Sequence, residues 1–343
     1  MIPHNQPTFG DAECQAAIRV LDSGWVAQGR EVQALEDEVC RFLGLGSGHA
    51  VALSNGTTAL FLALWALGAR DKRIAIPVFS CAAVRNAVIM AGGFPVSIDV
   101  AYDSPNIDLE AAAASGADLI VAAHIFGTPS RWDMGRLAVP IIEDCAQAFG
   151  ARIDGRAVGL NGTVGIFSFY ATKMITTGGQ GGMLVSADAS LVDAVRDYRQ
   201  FDCRRDRAPR FNFQMTDLQA AVGRAQLSRI DEFIDARRQT REHYVAAGLP
   251  LWHVACDTGI AACHYRAVLR SSDPTSLIAG FGASGVRAIV PIADWELLGD
   301  PMEFPRALSL ARSTVSIPIH PSLTRDDIAQ ITRIGSLLQS TAN

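Results

Sequence analysis

The chain has 343 residues, 49% of them apolar and 19% charged, and a formal charge of -5. A chain of this length and polarity buries a large core, and a major domain (1–240) with a minor one (241–343) is expected. Acids and bases are mixed along it, which leaves no basic stripe for a nucleic-acid backbone. No apolar run approaches the length of a membrane span, and Met1-Ile-Pro-His-Asn-Gln-Pro7 has neither the charged flank nor the apolar core of a signal peptide, so a cytoplasmic setting is expected.

As far as Ser186, short β-rich runs alternate with amphipathic stretches. The pattern predicts strands at 49–53, 73–76, 95–100, 118–126, 139–143, 164–170 and 182–185, with helices at 31–43, 57–67 and 80–90. Such alternation specifies an α/β layer architecture with a largely parallel sheet. Thr216-Asp-Leu-Gln219 has the form of a capping box, and Leu218, Val222, Ala225, Ile230 and Phe233 follow on one side, which predicts one long helix joining two domains. Its polar face (Arg224, Arg229, Asp231, Glu232, Arg237, Arg238) is expected to be solvated. Beyond Tyr244 the pattern predicts a strand at 265–269, a helix at 274–281, a strand at 287–290 and a last helix from Thr324.

The seven cysteines (Cys14, Cys40, Cys81, Cys145, Cys203, Cys256, Cys263) are scattered without CxxC pairs, which argues against a disulfide framework and against a zinc cluster. Cys256 and Cys263 lie close to His253 and His264, but the spacing matches no common ligand pattern, and no metal is expected.

Three segments carry chemistry. Lys173 ends the apolar run from Val164 and precedes the glycine-dense stretch Thr176-Thr-Gly-Gly-Gln-Gly-Gly182, a context in which an amine can be desolvated and made nucleophilic toward an aldehyde cofactor. Ser54-Asn-Gly-Thr-Thr58 lies at a strand-to-helix turn, where the first helical N–H groups can cradle a phosphate, or where a threonine simply caps the helix. Ile141-Ile-Glu-Asp144-Cys-Ala-Gln147 places Asp144 at the carboxyl end of a buried strand. A carboxylate there can keep a heteroaromatic nitrogen protonated, or can cap the next helix.

Together with Gly24-Trp25, Gly29-Arg-Glu-Val32, His124-Ile-Phe-Gly127, Phe167-Ser-Phe-Tyr170, Asn212-Phe-Gln-Met-Thr-Asp-Leu-Gln-Ala-Ala221 and Pro318-Ile-His-Pro321, these segments resemble the DegT/DnrJ/EryC1/StrS sugar aminotransferases. The resemblance spans nearly the whole chain. It implies the pyridoxal-phosphate-dependent transferase fold of type I, with a large domain built on a mostly parallel seven-stranded sheet and a smaller C-terminal α/β domain. It implies pyridoxal 5'-phosphate as cofactor, cycling through pyridoxamine 5'-phosphate. Lys173 would then hold the aldehyde and shuttle the proton, Asp144 would pair with the pyridine nitrogen and Gln147 would contact the ring oxygen. Gly56, Thr57, Thr58 and Ser168 would bind the phosphate, joined by Asn212 from the partner of a homodimer. Trp25, His124, His264 and His320 fall at motif positions near the substrate, where packing or capping are equal alternatives.

Two positions depart from the family pattern. Cys81 stands where many relatives place an aromatic ring over the cofactor, with Phe79 as a substitute, and Gln214 stands where many have arginine. The expected activity is transfer of an amino group from a donor such as glutamate to a keto sugar carried on a nucleotide, or to a cyclitol ketone. A cofactor-binding regulator without turnover and a sugar dehydratase or other lyase are the competing readings, and retention of Lys173 speaks against both.

Overall fold

The computed structural model describes residues 1–133, 137, 139–252 and 258–340, so His253 and Cys256 lie outside the described residues. In chain order its strands are β1 (Ala50–Leu53), β2 (Arg73–Pro77), β3 (Phe94–Ile98), β4 (Leu119–Ala123), β5 (Ile141–Asp144), β6 (Arg152–Ile153), β7 (Arg156–Ala157), β8 (Val164–Ser168), β9 (Gly182–Val185), β10 (Ile260–Ala261), β11 (Ala267–Arg270) and β12 (Thr314–Ile317). The α-helices are α1 (Asp11–Ser23), α2 (Arg30–Leu43), α3 (Gly56–Ala66), α4 (Ala82–Met90), α5 (Leu109–Ala114), α6 (Ala189–Arg199), α7 (Asp217–Leu227), α8 (Ile230–Ala246), α9 (Pro274–Ala283), α10 (Pro305–Ser313) and α11 (Arg325–Ser340).

Seven strands form the main sheet in the order β1-β9-β8-β5-β4-β2-β3. β1, β4, β5 and β9 are buried along their whole length, as expected of strands covered on both faces. One face packs on Val32, Leu35 and Val39 of α2 together with Phe149, Phe167 and Phe233; the other packs on α3, α4 and α6. α2 shows why: its apolar residues recur every three or four positions, and Gly44, at φ +82, ends it by donating to the Arg41 carbonyl. α3 is apolar almost all round, and Thr58 to Leu64 are all buried. A separate core forms around the β11–β12 pair from Tyr244, Leu269, Phe281, Val315 and Ile331, and Ile2 at the start of the chain packs into it.

The sheet is mostly parallel, as expected; β9 runs antiparallel to both β1 and β8, because no crossover helix lies between β8 and β9 to turn the chain back into parallel register. Three expectations need correction. The long helix is two helices: α7 starts with the expected Thr216–Gln219 capping box, but Arg229 departs from helical geometry (φ -111, ψ 8) and α8 begins at Ile230. Apolar spacing continues across this break, so periodicity does not reveal it. On α8, Arg237 is not solvated but 2% exposed, and Arg224 and Arg229 pair with glutamates of α2 and α1. The strand expected at 287–290 is a single bridge from Ile289 to Ser316, and the partner of β11 is β12, whose Thr-Val-Ser-Ile sequence carries only a weak signal.

Candidate active site

A cavity of about 210 Å³ opens at the carboxyl ends of β5 and β8, lined among others by Gly56, Thr57, Cys81, Asp144, Ser168 and Lys173. The sheet topology places it there: strands end and helices begin on this side, so backbone N–H groups converge with the side chains of strand-terminal residues. α3 enters with its N-terminus toward the cavity, and Asn55 caps it by accepting the Thr58 N–H at 2.8 Å. Close approach demands glycine at two points. A Cβ on Gly56 would lie 2.8 Å from Ser168 Cβ, and one on Gly182 would lie 2.4 Å from the Asn55 carbonyl oxygen. The unpaired N–H groups of the first helical turn and the Ser168 hydroxyl therefore share one side of the cavity, a suitable cradle for a dianion.

Lys173 follows β8 in a tight loop, its N–H bonded to the Tyr170 carbonyl at 2.9 Å, while Ala171 donates to Gly179 at 3.0 Å. Asp144 closes β5. One carboxylate oxygen accepts the Ala146 N–H at 3.0 Å, and the other has no hydrogen-bond partner among the described residues. Burial raises the Asp144 pKa above the ordinary value, only partly offset by the Ala146 N–H and by Lys173. A buried acid of this kind, which forms no ion pair among the described residues, suits a cationic ligand group.

The model of the DegT/DnrJ/EryC1/StrS aminotransferase family matches residues 7–257. The chain belongs to this family. It is 34% identical to GDP-perosamine synthase of Vibrio cholerae, over 73% of this chain and 72% of that one. It is 31% identical to the UDP-N-acetyl-3-dehydro-alpha-D-glucosamine 3-aminotransferase of Acidithiobacillus ferrooxidans, over 92% and 90%. The crystal structure of the aminotransferase TlmJ from Streptoalloteichus hindustanus superposes with a TM-score of 0.91 at 28% identity, covering 99% of this chain and all of that one. The protein is thus an aminotransferase with the type I fold of the pyridoxal-phosphate-dependent enzymes.

Of the family motif residues, the cavity gathers Gly56, Thr57, Cys81, Asp144, Ser168 and Lys173. Thr58 bonds the Asn55 side chain through both its N–H and its hydroxyl, which also lies 3.3 Å from Ser54 Oγ. The Gln147 side-chain oxygen accepts the Phe126 N–H at 2.8 Å, which leaves its amide NH₂ as the free end. Cys81 is the N-cap of α4, whereas Phe79 is fully buried against Phe126 and does not reach the cavity. Asn212 is exposed, accepts the Gln214 N–H and does not line this cavity.

The four substrate candidates do not line the cavity either. His124 is 1% exposed; its Nδ1 accepts the Ser130 N–H, and its Nε2 donates to Glu143 at 3.1 Å. Glu143 also takes the N–H groups of Gly159, Asn161 and Gly162. Burial opposes its ionisation, but His124 and these N–H groups outweigh burial and hold the carboxyl below its ordinary range. Trp25 is 62% exposed beside α2, and His320 donates to the Pro3 carbonyl within the small-sheet core. His264 sits on the segment before β11, where burial and neighbouring arginines lower its pKa to about 4. No helix among the described residues is long and apolar enough to cross a membrane.

Cavity residues without a sequence signal are Tyr170 and Gln180 on the two arms of the Lys173 loop. Both are exposed, and the Phe169 N–H on the Gly181 carbonyl and the Thr177 N–H on the Phe169 carbonyl fold the loop back on itself.

Proposed function

We propose that the protein transfers an amino group from an α-amino acid, glutamate by family habit, to the ketone of a nucleotide-linked keto sugar, with pyridoxal 5'-phosphate held in the cavity described above. The observation that carries this reading is that Lys173 and Asp144 line the same cavity as the N-terminus of α3. The three features suit the three ends of that cofactor: an aldehyde, a pyridine nitrogen and a phosphate. The names of the relatives, a GDP-sugar and a UDP-sugar aminating enzyme, support a nucleotide sugar as acceptor.

When bound, the cofactor supplies an electron sink that makes the α-proton of the amino acid removable. The chain's residues do the rest. Lys173 Nζ holds the aldehyde and, once released, takes the α-proton as a general base and returns it as an acid. Asp144 keeps the pyridine nitrogen protonated, which also relieves the penalty of its own burial. Gly56, Thr57 and Ser168 bind the phosphate, and the Gln147 amide faces the ring oxygen. Cys81, on the cavity wall, would offer the cofactor a smaller contact than an aromatic side chain. Asn212 acts across a homodimer interface on the partner's phosphate, in keeping with its exposure here. The C-terminal part, from about residue 241, forms the small domain and works in the cytoplasm with the rest of the chain.

Purified protein loaded with pyridoxal phosphate is expected to change absorbance on adding glutamate, and then to replace the carbonyl oxygen of a nucleotide keto sugar by an amino group, read by mass spectrometry. Borohydride reduction followed by peptide mapping should place the cofactor on Lys173. A loaded, yellow protein in which that lysine stays unmodified would end this reading.

A further inference from the structure

Tyr265 is a buried titratable group beside the reacting amine for which the mechanism above has no task. It comes from the segment before β11, far from Lys173 in sequence. That segment is anchored by the Cys263 N–H on the Gly127 carbonyl at 3.1 Å and by Cys263 Sγ, 3.4 Å from the carbonyl of Gln147. His264 then turns through φ +52, a costly conformation for a residue with a side chain. Gly127 makes room opposite: at φ +81, a Cβ there would lie 2.8 Å from Tyr265 N and 3.0 Å from Tyr265 Cβ.

The result of this strained, close packing is a tyrosine 4% exposed whose ring centroid lies 5.4 Å from Lys173 Nζ. Arg266 and Arg237 flank the same ring at 5.3 and 5.9 Å. Neither guanidinium bonds a carboxylate among the described residues: Arg266 donates to His4, and Arg237 bonds the backbone carbonyls of Tyr265 and Ile319 and leaves Nε unpartnered. Thr172 lies near enough to the phenol to favour its ionised form, and the Thr172 carbonyl accepts from Asn5 Nδ2 at 3.0 Å. Burial opposes ionisation of the phenol, but Lys173 and Arg266 more than offset it.

An aromatic face attracts an ammonium and not a neutral amine, so it favours the lysine that has just taken a proton over the lysine about to take one. Without the ring, that ammonium would face two guanidiniums unshielded, with Asp144 as its opposing charge. We propose that Tyr265 is a positioning residue for proton transfer: its ring, and not its hydroxyl, holds the ammonium form of Lys173 in place. This rests on the proton-shuttle reading of Lys173.

The test compares Tyr265→Phe, which keeps the ring, with Tyr265→Leu, which removes it. With the cofactor-loaded protein and glutamate, the Leu variant should convert about 3- to 30-fold more slowly at unchanged KM. It should also show a larger primary isotope effect with α-deuterated glutamate. The Phe variant should stay within about 3-fold of the parent. In cofactor-free protein, trinitrobenzenesulfonate should label Lys173 faster in the Leu variant than in the parent, with the Phe variant close to the parent. A Leu variant with parental rate, isotope effect and labelling overturns the proposal, as does a Phe variant as impaired as Leu. Should the Leu variant not fold, Tyr265→Met fills the volume without a π face. If the parent itself ignores glutamate, the aminotransferase reading has failed, and the labelling arm still decides the contact.

Discussion

Glu143 and Asp144 are consecutive residues of β5, and their carboxylates serve opposite faces of the sheet. Asp144 faces the cavity with one oxygen unbonded among the described residues, while Glu143 binds His124 and the N–H groups of the 159–162 loop. Side chains alternate along a strand, so one acidic dipeptide supplies a functional acid and a structural one.

Replacing Asp144 should separate stability from activity. Asp144→Asn removes a buried acid that is only half satisfied, so the cofactor-free protein should melt at the same temperature or higher. The same change should slow the reaction with glutamate by on the order of 10²-fold or more, because the pyridine nitrogen loses its anionic partner. Calorimetry of the cofactor-free form beside single-turnover kinetics checks both signs.

Glu143→Gln should do the reverse. An amide offers one acceptor oxygen where the carboxylate now receives four donors, so at least one backbone N–H is left facing an NH₂ group. A loss of about 2–4 kcal/mol is expected in urea unfolding, since buried donors lose charged partners.

Gly56→Ala should weaken cofactor binding with little effect on the fold. The added methyl meets Ser168 Cβ at 2.8 Å, so the side chain or the start of α3 must shift. At least about a tenfold rise in the dissociation constant for pyridoxal phosphate is expected, on the order of 1.4 kcal/mol. Ser168→Gly in the same chain should restore part of it, and fluorescence titration measures both.

Acid should destabilise the protein through His4. Burial first, then Arg266, His320, Arg287 and Arg237, lowers its pKa from 6.5 to about 3. Between these values the unfolded chain binds a proton that the folded chain does not, so stability falls as the pH falls, by at most about 1.4 kcal/mol per unit. Melting temperatures measured from pH 7 to 4 should drop less steeply in His4→Gln than in the parent.

The cavity was legible in the sequence wherever its parts are local. Lys173 after an apolar run, Gly56 in a strand-to-helix turn and Asp144 at a strand end are each defined by a few neighbouring residues. Parts assembled from distant segments were not legible. Tyr265 reaches Lys173 only because Gly127 and His264 have unusual backbone angles, and Asn5 meets Thr172 across 167 positions. Arg237 was misread as a surface charge because it lies beside Arg238, which is paired at the surface with Asp235 and Glu242, while its own carbonyl partners come from the segments around β11 and β12. Thr58 carried the right residue type for a phosphate ligand, and only the geometry of the Asn55 cap shows its hydroxyl to be engaged.

Because β9 runs back along β8, with Ser168 opposite Gly182, the segment bearing the nucleophile starts and finishes on adjoining rungs of a single hairpin. Its ends are pinned together by the ladder itself, so residues gained or lost at the far tip would leave both anchors in register. The amine's placement is consequently a local property of that hairpin and should tolerate divergence in the helices that surround it.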